Sequence, residues 1–183
     1  MRLRRVLIGG GVAAILVAAT AVAAFDRFWL APRVAQVLES TSNGAEEERD
    51  PPPEVARLVL ASEPLGLAPQ VARIVISQSA PEFRPPSMFR WHIYSWLAQK
   101  LIPLHLSAEQ QLSVYCSRIY VGEASFGLAH AAHRLYARPL SALSSIEAAH
   151  VAALPRSPDA LLRDRDRLSS FAARLIERDK ADL

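Results

Sequence analysis

The side chains of this 183-residue sequence that could do chemistry are few and scattered. His130 and His133 lie three residues apart and would share one helix face, as two metal ligands can. No carboxylate or third histidine stands at useful spacing beside them, so a solvated helix face is the preferred reading. The single cysteine, Cys116, can neither close an intramolecular disulfide nor offer a metal a second thiolate, and it reads as a small buried apolar residue. Trp91 and Trp96 could stack on a sugar, although aromatic residues spaced this way in an amphipathic helix usually belong to the core. Ser77 and Gln78 form a polar pair that either touches a ligand or simply ends a helix. Glu63 is followed by no other acid until Glu82, so it is the only carboxylate that stretch can offer to any reaction.

The charges point to no polyanionic partner. Lys and Arg total 21 against 18 Asp and Glu, a net charge of +3. A nucleic-acid surface needs cations clustered on one face, which so even a balance does not predict. Only Lys100 and Lys180 are lysines; the other cations are arginines.

At the N-terminal end, Val6 to Phe25 is an apolar run whose one clearly polar side chain is Thr20, with Arg2, Arg4 and Arg5 before it and Asp26 and Arg27 after. Twenty helical residues at about 1.5 Å rise cover about 30 Å, the thickness of a bilayer's hydrocarbon core. The leading arginines place the N-terminus in the cytoplasm and export the chain beyond Asp26. A cleaved signal peptide competes, because Ala21-Val22-Ala23 has the small-x-small pattern that a signal peptidase accepts. The length of the run and Trp29 at an interfacial position favour an anchor.

Phe28 to Glu39 has helical spacing, which Pro32 would kink. Thr41 to Pro53 holds Asn43-Gly44, Glu46-Glu47-Glu48 and Pro51-Pro52-Pro53, and its composition predicts a flexible spacer. Beyond it, helices are expected at Glu54 to Glu63, Pro69 to Gln78, Ser87 to Leu104, Ala108 to Ser117, Ser125 to Ala137, Ser144 to Leu154 and Asp166 to Lys180. In the third, Phe89, Ile93, Trp96, Leu97, Leu101 and Leu104 mark an apolar stripe. Ser107 can cap the fourth, and Ser144 with Glu147 forms a capping box for the sixth. Nothing alternates with period two for long enough to predict a sheet. The resulting plan is a tail over 1–5, a transmembrane anchor over 6–25, a juxtamembrane segment and linker over 26–53, and a helical domain over 54–183.

From Ser107 to Asp159 the order of residues resembles the C-terminal half of the peptidoglycan glycosyltransferase domain, found in monofunctional biosynthetic transglycosylases and class A penicillin-binding proteins. The matching positions include Tyr115, Tyr120, Gly122, Phe126-Gly127, Ala131-Ala132, Tyr136, Glu147-Ala148-Ala149 and Leu154-Pro155 with Pro158. About fifty residues agree in spacing with scarcely a gap. Upstream the pattern thins. Ile76-Ser77-Gln78-Ser79 falls on the end of the family's Gly-Gly-Ser-Thr-Ile-Thr-Gln-Gln motif without its glycines. Ala61-Ser62-Glu63 falls on Ala-Glu-Asp, but Pro64 replaces the aspartate. The second glutamate of the family falls near Ser95, where no acid stands, and the Asn of Tyr-Leu-Asn is Ser117.

The resemblance implies an all-α, reduced lysozyme-like glycosyltransferase lobe behind one transmembrane helix. It implies action on lipid-linked cell-wall precursor or the growing glycan strand, with Glu63 as the catalytic base. The base deprotonates an acceptor hydroxyl, which attacks an anomeric carbon while a polyprenyl pyrophosphate leaves. Ser77, Gln78, Arg90 and Arg118 fall where substrate would bind, with His92 a further source of positive charge. No cofactor is implied, and a divalent cation only where turnover occurs. Loss of the second glutamate and part of the donor side predicts weak or no catalysis. The alternative is a non-catalytic binding or interaction module that modulates other cell-wall synthases. Either way the expected home is the bacterial inner membrane, single-pass, with the domain in the periplasm.

Overall fold

The computed structural model describes residues 2–78 and 88–181. Ser79 and the expected helix start at Ser87 lie outside the described residues.

One unbroken helical rod leads into the body. Helix α1 (Arg2–Phe25) passes through a single π turn, Asp26–Leu30, into α2 (Ala31–Ser42). Pro32 accounts for the π turn. Proline lacks an N–H and its ring collides with the carbonyl four residues back, so the helix widens there, and Pro32 then occupies the first turn of α2, where a missing N–H costs little. Among the described residues one stretch, Ala13–Ser42, is long and apolar enough to cross a membrane by length and composition, with a mean hydropathy of 1.6 in its most apolar window. Further along, the rod turns from exposed to packed: Leu30, Val34 and Val37 are buried. Asp26 Oδ1 lies 2.6 Å from His105 Nε2, and the Tyr94 ring meets Phe25 and Trp29 with centroids 5.1 and 5.2 Å away.

The segment Thr41 to Pro53, expected to be a flexible spacer, is instead packed against the body. It contains the short helix α3 (Glu46–Arg49), which lies on the α7 and α8 side of the domain. Glu48 is only 7% exposed and accepts a hydrogen bond from Ala129 N at 2.9 Å, while Glu47 Oε2 accepts one from Leu140 N at 2.8 Å. Helix N-termini carry N–H groups without intrahelical partners, and these two carboxylates satisfy one each from a distance of eighty residues or more in sequence. Composition sees only an acidic run and cannot anticipate that.

The body is built from α4 (Pro53–Ser62), α5 (Ala68–Gln78), α6 (Met88–His105), α7 (Ala108–Arg118), α8 (Leu128–Tyr136), α9 (Ser145–Ala153), α10 (Pro158–Arg163) and α11 (Arg165–Ala181). Helices α5 and α6 pack on each other, α2 leans on α5, α6 and α7, and α9 packs on both α4 and α11. Val59, Val71, Val75, Val114 and Leu154 are fully buried in the shared core. Both expected caps form. Ser107 and Gln110 exchange reciprocal bonds at the start of α7, and Ser144 and Glu147 do so at the start of α9. The bonds from Ser144 hold the Glu147 carboxyl below the usual carboxylate range. Ser107→Ala should cost about 1 kcal/mol, read as a lowered denaturation midpoint at unchanged slope.

Two expectations change. The apolar stripe read on α6 is largely open: Trp96 is 60% exposed, Phe89 and Leu104 more so, Leu97 and Leu101 are half-buried, and the fully buried residues are Ala98 and Ile102. The cause is that α6 packs on α5 and α2 by the face that carries Ala98 and Ile102. The helix expected from Ser125 starts only at Leu128, because Tyr120–Gly122 (β1) and Ser125–Phe126 (β2) pair as a small antiparallel hairpin. Its two turn residues, Glu123 and Ala124, have φ of +50° and +56°, the left-handed pair that a tight hairpin turn demands. Asp159 Oδ1 steadies the turn by accepting the Glu123 N–H at 3.2 Å. The architecture is otherwise all-α, as expected.

Candidate active site

Glu63 stands at the C-terminal end of α4, where Pro64 prevents the helix from continuing and Gly66, at φ +77°, turns the chain towards α5. Its carboxylate is held by two donors. Tyr115 Oη donates to Oε1 at 3.3 Å, and Gln70 Nε2 donates to Oε2 at 3.2 Å and reaches Oε1 at 3.4 Å. Tyr115 is 1% exposed, and burial, reinforced by the negative charge of Glu63, pushes its phenol well above the ordinary value. It therefore stays protonated and serves as a donor. Gln70 comes from the first turn of α5 and Tyr115 from α7, so three helices fix one carboxylate.

Beside Glu63 opens a pocket of about 600 Å³, walled by the end of α4, the start of α5, the turn after α9, and α11. Arg73, Arg156, Arg174 and Arg178 line it, and Glu63 is its only carboxylate among the described residues. Phe171 forms part of the floor, with the guanidinium carbons of Arg156 and Arg174 lying 5.3 and 4.5 Å from its ring centroid.

The expected substrate residues do not line this pocket. Gln78 Nε2 donates to Arg118 O at 2.7 Å, which brings those two together at the far end of α5. Eight residues of helix separate Gln70 from Gln78, about 12 Å. Ser77 Oγ donates to Ile74 O in its own helix, and Arg90 reaches the Tyr94 hydroxyl at 3.2 Å. Ser95, where the resemblance expects a second glutamate, has a buried hydroxyl with no hydrogen-bond partner. Cys116 is fully buried, which pushes its thiol up to about 12 and leaves it unreactive. Sequence reasoning missed Gln70, Tyr115 and the four arginines. The signal available was slight: Arg174 and Arg178 are spaced i, i+4 and interleave with Phe171 and Leu175, a pattern that equally describes a solvated helix face.

A divalent cation does not fit these residues. One carboxylate among four guanidinium groups repels a cation, and no group of three His, Cys, Asp or Glu that could hold a metal occurs among the described residues.

The described residues thus form an almost wholly helical domain in which one carboxylate faces an arginine-lined pocket. The family model described as Transglycosylase matches residues 67–179, more than half of the chain, and the chain belongs to that family. It is thus a peptidoglycan glycosyltransferase-family protein, of a family whose substrates are glycan or lipid-linked precursor. The matched stretch begins four residues beyond Glu63, so the base candidate lies just outside it. Comparison with curated proteins found no match.

Proposed function

We propose that this chain is a single-pass, inner-membrane protein whose periplasmic body binds lipid-linked precursor or the glycan strand in the Glu63 pocket, with weak or no polymerisation. The observation that carries this reading is the carboxylate of Glu63, held by Tyr115 and Gln70 and facing a pocket with no second acid among the described residues. Glu63 can accept a proton from an acceptor hydroxyl placed in that pocket. Tyr115 and Gln70 are positioning residues that hold it, and the arginines bind negative charge. General acid and base groups each contribute about 100 to 10,000-fold, and Ser95 supplies neither. The anchor is proposed over residues 6–25, and the body over 54–183 with the packed segment 26–53 joining them.

The non-catalytic alternative draws support from α6. Phe89, Trp96 and Leu104 are exposed beside the outer end of the anchor, an apolar face suited to the bilayer surface or to another synthase.

The test uses purified full-length protein with labelled lipid-linked disaccharide pentapeptide. The expected result is retained precursor without polymer even at high protein concentration. Glu63→Gln should change retention by less than about threefold, since a base contributes chiefly to the chemical step. Glycan chains that disappear in Glu63→Gln would establish catalysis instead. No retention at all would reject the binding function.

A further inference from the structure

The arginine wall of the Glu63 pocket carries charge that no described carboxylate pairs with. Among the described residues, none of Arg73, Arg156, Arg174 and Arg178 is ion-paired with a carboxylate; Arg178 instead donates to Ala61 O at 3.1 Å, and Arg73 Nη1 only approaches Gln70 Oε1 at 3.5 Å. Arg156 and Arg174 lie over Phe171, which leaves their guanidinium edges available for hydrogen bonding. A guanidinium edge matches a planar carboxylate by two parallel bonds. Beside Phe171 the lining is apolar at Ile119, Pro155 and Leu175 and polar on the Glu63, Gln70 and Tyr115 side, and the volume of about 600 Å³ is that of an organic ligand's site, larger than an inorganic ion needs.

The place of this wall in the fold limits the source of the negative charge. Helices α9 and α11 pack chiefly on each other and on α4, whereas α2, the continuation of the anchor, packs chiefly on α5, α6 and α7. Arg174 and Arg178 therefore stand on a helix outside the main contacts of α2, while Arg73, on α5, stands on one within them. The diphosphate of a lipid-linked molecule stays where its polyprenyl chain enters the bilayer, and the proposed anchor continues into α2, not into α9 or α11.

We infer that Arg156 and Arg174, flanked by Arg73 and Arg178, form a subsite for the carboxylates of an acidic glycopeptide, a sugar chain whose attached peptide presents free carboxylates. This deepens, and rests on, the reading of the Glu63 pocket as a glycan site. The apolar floor takes the non-polar faces of sugar and peptide while the two stacked guanidinium groups read adjacent carboxylates. All four arginines are exposed, so binding is screened by salt and weakens as ionic strength rises.

The experiment titrates full-length protein in detergent micelles with three soluble probes, followed by calorimetry: a disaccharide peptide with free carboxylates, the same compound with those carboxylates amidated, and inorganic pyrophosphate. The free acid should bind, and amidation should weaken it at least about tenfold. The double variant Arg156→Ala/Arg174→Ala should weaken the free acid about tenfold, as expected for two exposed ion pairs. Arg156→Lys/Arg174→Lys, which keeps charge and loses the forked geometry, should fall between. Truncating exposed side chains leaves no buried group unpaired, so the thermal transition should stay in place. Equal binding of the amidated probe, unchanged binding by the alanine double variant, or displacement of the free acid by pyrophosphate overturns the subsite. Retention of lipid-linked precursor, measured on the same preparations, separates the two ideas: retention without glycopeptide binding rejects the subsite alone, and loss of both rejects the glycan-site reading with it.

Discussion

Gly127→Ala is expected to lower the unfolding free energy by about 3 kcal/mol, enough to remove a large share of a small domain's stability. Two costs add. Gly127 has φ +93° and ψ 141°, a conformation that residues with a Cβ rarely adopt. An added Cβ would also overlap Glu48 Oε1 and stand 3.2 Å from Ser117 O, a backbone atom that cannot swing aside. Gly66 offers the control. Its φ is +77°, yet nothing lies within 4 Å of a Cβ built there, so Gly66→Ala should show the strain cost alone, about 1 kcal/mol. Denaturant midpoints of the two variants, at equal slope, make the comparison. Equal losses would show that the packing around Gly127 is looser than these distances imply.

Removing the Glu48 carboxylate is the second large change. Glu48→Ala leaves Ala129 N–H at the start of α8 without its acceptor and opens space beneath the hairpin, an expected loss of about 2 kcal/mol. Glu48→Gln keeps an acceptor oxygen, and near neutral pH it should cost less than half as much. The two Glu variants also differ from the parent in pH dependence. Burial holds the Glu48 carboxyl above its ordinary 4.5, the Ala129 hydrogen bond and the Arg118 charge opposing that shift only in part. A raised folded value means that the charged form is the disfavoured one. The stability tied to it is fully present below 4.5 and is lost as pH rises through the folded value. Parent minus Glu48→Gln stability should therefore decrease with rising pH across that window and be flat on either side. A difference that grows with pH would reverse the assignment. Since Glu48 is the group that a Cβ at position 127 would strike, Gly127→Ala combined with Glu48→Ala should cost less than the sum of the two.

These two residues show why part of the fold escaped the sequence. Glu46-Glu47-Glu48 reads as a solvated acidic run because acids, Asn-Gly and three prolines together predict no core. Glu47 and Glu48 nevertheless meet the N–H groups of Leu140 and Ala129, more than eighty positions away, and no local pattern reports so distant a partner. The same holds for the arginine wall. Arg73, Arg156, Arg174 and Arg178 each look like an ordinary polar surface residue, and only the packing of α11 across α9 and α4 brings them to one pocket. Trp96 and its neighbours illustrate the reverse error. A periodic apolar stripe implies a buried face only if something covers it, and α6 is covered on the other side.

Local chemistry, by contrast, was readable. The helix bounds around α4, α5, α7, α9 and α11 follow from apolar periodicity and from caps a few residues long, and both capping boxes form between residues three apart. The apolar length of the N-terminal run and the order of motifs after Ser107 are likewise properties of the chain read in line, and they carried the membrane candidate and the family. Which carboxylate is buried, which cations converge, and which face of α6 is left open depend on contacts between elements far apart in sequence. Such contacts are settled by how the helices pack, and linear spacing holds no record of them.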